Sequence, residues 1–288
     1  MLIRQVERIA RAKRIGRIIV ATSATRSDDS LAELCRARNI ELFRGDLDDV
    51  LDRFYHAASP LGPEYVVRLT GDCPLADPAI IDAVIDFCIA GNFDYASNAL
   101  EPTFPDGLDV EVMKFHCLRD AWVNARLPSH REHVTPYIYQ HRDKFRVGSF
   151  KQAIDLSALR WTVDETQDYQ LICRIYDALY PDNPAFTSDD VMHFLRGHPE
   201  LNTLNRKFQR NEGYQKSLDQ DEALIRDIKR YENHGQPIRS VRSYAHTGIT
   251  IDPPWFANLQ QKHHPVSPRG FATVSHARKG KPCMGCRR

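Results

Sequence analysis

At 288 residues with 42% hydrophobic and 27% charged positions, the composition is that of an ordinary globular protein long enough to bury a substantial core. No run of eighteen apolar residues occurs, and the five basic groups within MLIRQVERIARAKRIG exclude a secretory signal core, so a cytoplasmic protein is expected. The formal charge of +1 hides an asymmetry: residues 239–288 carry nine Lys or Arg and one acid, Asp252, whereas residues 1–238 carry 30 basic and 37 acidic groups.

In chain order, Leu2, Ile3, Val6, Ile9 and Ala10 recur at helical spacing, and RIIVAT (Arg17 to Thr22) is a β-branched run. Asp29 or Ser30 can cap a helix through Arg38, IELFR (Ile40 to Arg44) predicts a strand, and Asp46 to Ala58 presents one apolar helical face. Tyr65 to Thr70 is a third strand, and Asp77-Pro78 opens a helix to Ile89. Tyr95 to Asn98 follows, then the loop EPTFPDGLD, a strand at Val110 to Met113, and helices at Leu118 to Ala125 and His130 to Gln140. RVGSF and LRWTVD are expected as strands, Thr166 to Leu179 and Asp189 to Arg196 as helices, with Thr166 capping the first of these. Strands alternating with helices imply βαβ crossovers, hence an α/β fold with a mainly parallel sheet covered on both faces. Five cysteines (Cys35, Cys73, Cys88, Cys117, Cys173) are scattered singly, which suits reduced thiols better than a disulfide framework.

In such a sheet, ligands gather off the carboxyl ends of the strands. Asp72 lies two residues past one such end, where an acid is explained by Mg²⁺, which takes one or two carboxylates plus phosphate oxygens; a turn-capping role explains the same stretch equally well. Asp164, at the end of LRWTVD, repeats the arrangement, so the two acids could converge on one metal. In PDGLDVE, Asp106 and Gly107 suit a turn, while Asp109 and Glu111 share strand parity and form either a polyol-binding wall or a solvated face.

IVATS, FRGDLDDVLDRFYHAA, VVRLTGDCPLADPAIID, YASNALEPTFPDGLDVEV, REHVTPYI and LRWTVDETQDY occur in this order between Met1 and about Leu218. Together they resemble the cytidylyltransferase-type proteins of the spore coat polysaccharide (SpsF) group, relatives of the synthetases that make CMP-activated sialic acids and Kdo. The resemblance implies a three-layer nucleotide-diphosphosugar transferase (Rossmann-like) fold, and attack of a sugar or sugar-acid oxygen on the α-phosphate of CTP. It casts Asp72 and Asp164 as Mg²⁺ ligands at the catalytic centre and sets Arg68, Ser97 and Asn98 around the nucleotide. Asp106, Asp109, Glu111, Arg131, Glu132 and His133 fall on the acceptor side, although Arg131 and Glu132 equally suit a helix surface, and His133 a satisfied buried histidine. A homodimer is compatible with it; a membrane or specific nucleic-acid partner is not expected.

Family members open with a strand at the centre of the sheet and a Gly/Arg-rich loop that holds the triphosphate; here the chain starts past both, as if N-terminally truncated. Either the native protein carries about 30 further residues, one βα unit, or this chain lacks the main phosphate cradle; the former is preferred. For the chain as given, weak or absent transfer and a sheet with two exposed edges are expected. A non-catalytic sugar- or partner-binding descendant is the alternative; no G-x-G-x-x-G follows a strand to support a dinucleotide enzyme. The organisation expected is an α/β domain over 1–218, a helical extension over 219–234, and a basic, proline-rich, disordered or loosely attached tail over 235–288. A lone CxxC at Cys283 and Cys286, with His263, His264 and His276, is a weak zinc pattern.

Overall fold

The computed structural model describes residues 1–210, 212–234 and 270–275. The strands are β1 (Ile15–Ser23), β2 (Glu41–Gly45), β3 (Tyr65–Thr70), β4 (Tyr95–Ser97), β5 (Glu111–Lys114), β6 (Val147–Ser149) and β7 (Gly270–Ser275). They pair in the order β2-β1-β7-β3-β5-β4-β6. Only the two contacts of β5, with β3 and β4, are antiparallel; the rest are parallel.

The helices are α1 (Leu2–Ile9), α2 (Asp29–Ala37), α3 (Val50–Ala58), α4 (Pro78–Ala90), α5 (Phe115–Asn124), α6 (Pro128–His133), α7 (Pro136–Gln140), α8 (Thr166–Leu179), α9 (Ser188–Gly197) and α10 (Glu212–His234). Alternation along the strands decides which helix covers which face. Val66, Tyr95 and Met113 enter one core with Leu51 and Phe54 of α3 and Leu118 and Ala121 of α5. Tyr65, Val67 and Leu69 enter the other with Ile9 of α1 and Ile81, Val84 and Ile85 of α4. Because both faces are covered, β3 reads as a continuous apolar run interrupted only by Arg68. A third cluster joins Leu171, Ile172 and Ile175 of α8 and Val191 and Leu195 of α9 to Leu75, Phe104, Leu108 and Trp161.

The centre of the sheet departs from expectation. β7 lies between β1 and β3 and is parallel to both: Ile18 and Val67 flank Ala272, and Ala21 and Thr70 flank Ser275. Both edges expected to be exposed are therefore paired, and six residues of the segment expected to be loosely attached form the strand between β1 and β3. GFATVS contains Phe, Thr and Val, good strand formers, but six such residues among prolines and basic groups carry too little periodicity to stand out. The other residues of that segment, with the cysteine and histidine zinc pattern, lie outside the described residues.

Three smaller differences have local causes. LRWTVD makes only an isolated parallel bridge, Asp106 with Arg160, and is otherwise extended chain. The helix expected over His130 to Gln140 breaks into α6 and α7 at Val134, whose φ is +72°, because Pro136 lacks the N–H a continuous helix would need. The expected boundary at 218 falls inside α10, whose Asp221 accepts bonds from Ser129 N and Oγ of α6 at 2.9 and 2.5 Å.

A proline at Ala272 removes a backbone donor from the middle of the sheet. Ala272→Pro is expected to lower unfolding free energy by about 2–4 kcal/mol, a lost ladder bond plus an unsatisfied acceptor. Urea denaturation measures this; an unchanged midpoint would place residues 270–275 outside the sheet.

Candidate active site

The acid-bearing loop after β3 is held from below by α1. Gln5 Nε2 donates to Thr70 O at 2.7 Å, and Arg8, buried, donates to Ala76 O and Leu75 O at 2.9 and 3.4 Å and to Phe186 O at 2.9 Å. Asp77 ends the loop: its Oδ1 caps α4 through Ala79 N at 2.8 Å, and its Oδ2 accepts from Ser188 N at 2.8 Å, so one carboxylate fixes the starts of two helices. At the end of β1, buried Asp28 accepts from Thr22 Oγ1 at 2.5 Å, Ser23 N at 3.0 Å and Ser23 Oγ at 2.7 Å. The carboxyl edge of the sheet is thus rigid on both sides of β7.

Three distant segments are laced together at this edge. Val163 N donates to Asp72 O at 2.9 Å. Asp106 N donates to Leu159 O at 2.8 Å, and Trp161 N to Asp106 O at 2.6 Å. Gly107, at φ +101°, lies so close to the second segment that a Cβ there would sit 2.5 Å from Thr162 N; only glycine permits both the conformation and the approach. The lacing sets the segments carrying Asp72 and Asp164 side by side, which their separation in sequence had left open. Partial burial, and then the Asp72 charge, push the Asp164 carboxyl above its ordinary 3.8.

Arg160 anchors the acids. Its guanidinium donates to Asp168 at 3.0 Å, Asp106 Oδ2 at 3.1 Å and Asp164 Oδ2 at 2.6 Å. Asp168 is fully buried and also accepts from Asn205 Nδ2 at 2.8 Å and from Asp164 N and Glu165 N at 3.1 and 3.0 Å. Burial alone would raise the Asp168 carboxyl, but Arg160, Asn205 and the Glu165 amide outweigh it and hold it below the ordinary 3.8. The cap of α8 is accordingly Glu165 in a capping box with Asp168, with Thr166 the first helical residue. Arg210 reaches in from beyond α9, donating to Asp109 and to Phe104 O. Burial pushes the Asp109 carboxyl up to about 6, with Arg210 opposing.

The remaining expected residues divide. Arg68 and Glu111 form an ion pair across β3 and β5, and Glu111 Oε1 also accepts from Tyr95 Oη at 2.7 Å and Thr135 Oγ1 at 2.5 Å. Asn98 is a loop clasp, its amide bonding Leu108 O and Val110 N at 2.8 and 2.7 Å, and Ser97 Oγ accepts from Ala99 N at 2.9 Å. Arg131 binds Asp49 Oδ2 at 2.5 Å and Trp122 O at 2.8 Å, fixing α6 to α3. Glu132 and His133 meet Ser217 of α10 at 2.7 and 3.0 Å; burial and then Arg68 lower the His133 pKa. Arg160, Asp168, Asn205 and Arg210 escaped the sequence reading. The Glu165 to Asp168 spacing was a legible cap signal, whereas nothing local marks which acids Arg160 and Arg210 will meet.

Asp72 and Asp164 offer hard oxygen donors of like charge at one edge, a donor set that fits Mg²⁺. Asp94, His116 and Cys117 also have ligand atoms within 4.8 Å of one another, but both Asp94 oxygens are engaged, Oδ1 by Lys114 Nζ at 3.0 Å and Oδ2 by Arg146 N at 2.9 Å, and burial pushes the Cys117 thiol up to about 12. A cavity of about 340 Å³ between Arg4, Pro74 and Tyr176 contains none of the laced acids.

Residues 1–192 match the cytidylyltransferase family model. The chain belongs to the cytidylyltransferase family. An uncharacterized protein of Methanocaldococcus jannaschii is 34% identical over 205 residues, 69% of this chain and 81% of the relative. The spore coat polysaccharide biosynthesis protein SpsF of Bacillus subtilis is 30% identical over 191 residues, 65% of this chain and 77% of its own. A solved cytidylyltransferase from Leptospira borgpetersenii superposes with a TM-score of 0.66 at 27% identity, covering 73% of this chain and 87% of that one. This nucleotidyltransferase carries the Asp72, Asp106 and Asp164 segments within the matched region and Asn205 and Arg210 beyond it. Among the described residues, no helix is long and apolar enough to cross a membrane.

In this cytidylyltransferase, Arg160→Ala would leave Asp168 buried without its cation and lower stability by about 3–5 kcal/mol, measurable by urea denaturation. Because the folded Asp168 pKa is depressed, its contribution is full above the unfolded value near 3.8 and is lost as the pH falls through the folded value. The variant's deficit should therefore shrink in acid. A deficit that is absent at pH 7, or unchanged in acid, would contradict the ion cluster.

Proposed function

We propose that this chain transfers a cytidylyl group from CTP to a hydroxyl of a sugar or sugar acid in surface-polysaccharide synthesis. The acceptor oxygen bonds the α-phosphorus, the bond from that phosphorus to the bridging oxygen breaks, pyrophosphate leaves and the hydroxyl proton is released. The reading is supported by the backbone bond from Val163 N to Asp72 O, which sets the segments carrying Asp72 and Asp164 side by side at the carboxyl edge of the sheet, within the matched region. It is supported by the SpsF relative and by the 3-deoxy-manno-octulosonate cytidylyltransferase of Geobacter sulfurreducens, 37% identical over 81 residues, 27% of this chain and 31% of that enzyme.

Asp72 and Asp164 would hold Mg²⁺, which when bound supplies positive charge against the triphosphate and the leaving pyrophosphate. Arg160 then acts as a positioning residue, fixing one oxygen of Asp164 while its other bonds fix Asp106 and Asp168. Asp109, paired with Arg210 from a distant segment but still partly exposed, remains on the acceptor side in this reading. Asn98, Glu111 and Arg131 are better explained as parts of the frame, because their polar groups are engaged by protein partners.

Asp72→Asn and Asp164→Asn should each reduce Mg²⁺-dependent pyrophosphate release from CTP on the order of 10²-fold or more, with an unchanged circular dichroism spectrum. Undiminished release in both variants would refute the assignment. Sugar binding without turnover by the unsubstituted chain would favour the non-catalytic alternative.

A further inference from the structure

We infer that His133 is the general base of the transfer: its Nδ1 takes the hydroxyl proton of the acceptor as the acceptor oxygen bonds the α-phosphorus. This rests on the reaction proposed above and assigns the destination of the proton that the reaction releases.

Position comes first. β5 runs antiparallel to β3, so its first residue, Glu111, lies opposite Arg68 near the carboxyl end of β3, on the strand that leads into the Asp72 loop. Glu111 is paired with Arg68, and its Oε1 accepts from Thr135 Oγ1 at 2.5 Å. Thr135 N in turn donates to His133 O at 2.8 Å. The end of α6 is thereby fixed at the acid-bearing edge, where the Arg68 charge acts on His133 and is itself acted on by Asp72.

Hydrogen bonding then decides which ring nitrogen carries the proton. Ser217 Oγ has one hydrogen and lies 2.7 Å from Glu132 Oε2 and 3.3 Å from Gly213 O, both acceptors. The shorter, charge-assisted bond takes that hydrogen, so Ser217 accepts from His133 Nε2, 3.0 Å away. Burial and then Arg68 lower the His133 pKa below its ordinary 6.5, outweighing Glu132 beside it, Glu111 of β5 and Asp221 of α10, so the ring is neutral at pH 7. Tyr214 of α10 meets it edge-on with ring centroids 5.0 Å apart. A neutral ring with Nε2–H presents a bare lone pair at Nδ1. Among the described residues nothing bonds Nδ1, and it is not sealed from solvent.

The neighbouring carboxylates are engaged. Glu111 holds Arg68, Tyr95 and Thr135, Asp106 holds Arg160, and Asp109 holds Arg210, while Asp72 and Asp164 are the Mg²⁺ ligands of the proposed reading. As the acceptor oxygen bonds the α-phosphorus and the bond to the bridging oxygen breaks, Nδ1 receives the hydroxyl hydrogen and later passes it to solvent. Glu132, Glu111 and Asp221 offset the imidazolium charge in between.

Two measurements on the full chain test this. The ¹⁵N chemical shifts of His133 at pH 7 should show a neutral ring protonated at Nε2; a proton on Nδ1, or an imidazolium, overturns the inference whatever the activity. Pyrophosphate release is then followed with Mg²⁺, CTP and a panel of sugars and sugar acids that includes 3-deoxy-manno-octulosonate. His133→Gln should lower kcat on the order of 10²-fold with KM for CTP unchanged, and should abolish the fall in kcat that the unsubstituted chain shows as the pH drops through the lowered His133 pKa. His133→Gly should regain part of its rate with added imidazole. Undiminished kcat in His133→Gln, or a loss that keeps the acid limb and ignores imidazole, as a merely structural role gives, overturns the inference and leaves the proposed function standing. No release by the unsubstituted chain with any acceptor overturns the proposed function and this inference with it.

Discussion

Parallel pairing of β7 with β1 and β3 is the constraint on which the candidate site depends. Without a strand between them, β1 and β3 could not share one sheet, and the loops beginning at Ser23 and Thr70 would have no common reference. Parallel ladders leave no donor or acceptor of a middle strand to water, so this element is specified by its neighbours on both sides and not by its own few side chains. That the strand comes from residues 270–275 brings segments far apart in sequence to one place: α1 grips the Asp72 loop, and β7 pairs with β3, the strand that leads into it.

The second layer of the account is electrostatic. Bringing Asp72, Asp106, Asp164 and Asp168 to one edge is unfavourable unless cations offset it. Arg160 supplies the offset for three of them, and its planar fork suits a bidentate hold on Asp168 that a lysine could not reproduce. The backbone does the rest: the Val163 to Asp72 and Trp161 to Asp106 bonds, with Gly107 pressed against Thr162, set the spacing of the acids independently of their charge. The acids are held in place by the fold, which is what the proposed site for a charged ligand requires.

Much of this was legible in the sequence. Local signals located most elements: the apolar run Tyr65 to Thr70, Asp77-Pro78 as cap and first helical residue, and the register of Thr166 to Leu179. The acids Asp72 and Asp164 stood out because strand-end carboxylates are a pattern with a physical meaning. Partnership was not legible. The protein bonds that Asn98 and Arg131 make were not foreseen, nor were those of Arg160 and Arg210, because hydrogen-bond partners 50 to 100 residues away leave no trace in a local window. β7 was missed for the same reason: its stability comes from its neighbours.

Amide hydrogen exchange tests the central claim most directly. If β7 pairs between β1 and β3, the amides of Ala272, Thr273 and Val274 should exchange as slowly as those of Val66, Val67 and Leu69, through global unfolding. Exchange of those three amides at the rate of an open chain, with β3 still protected, would contradict the account.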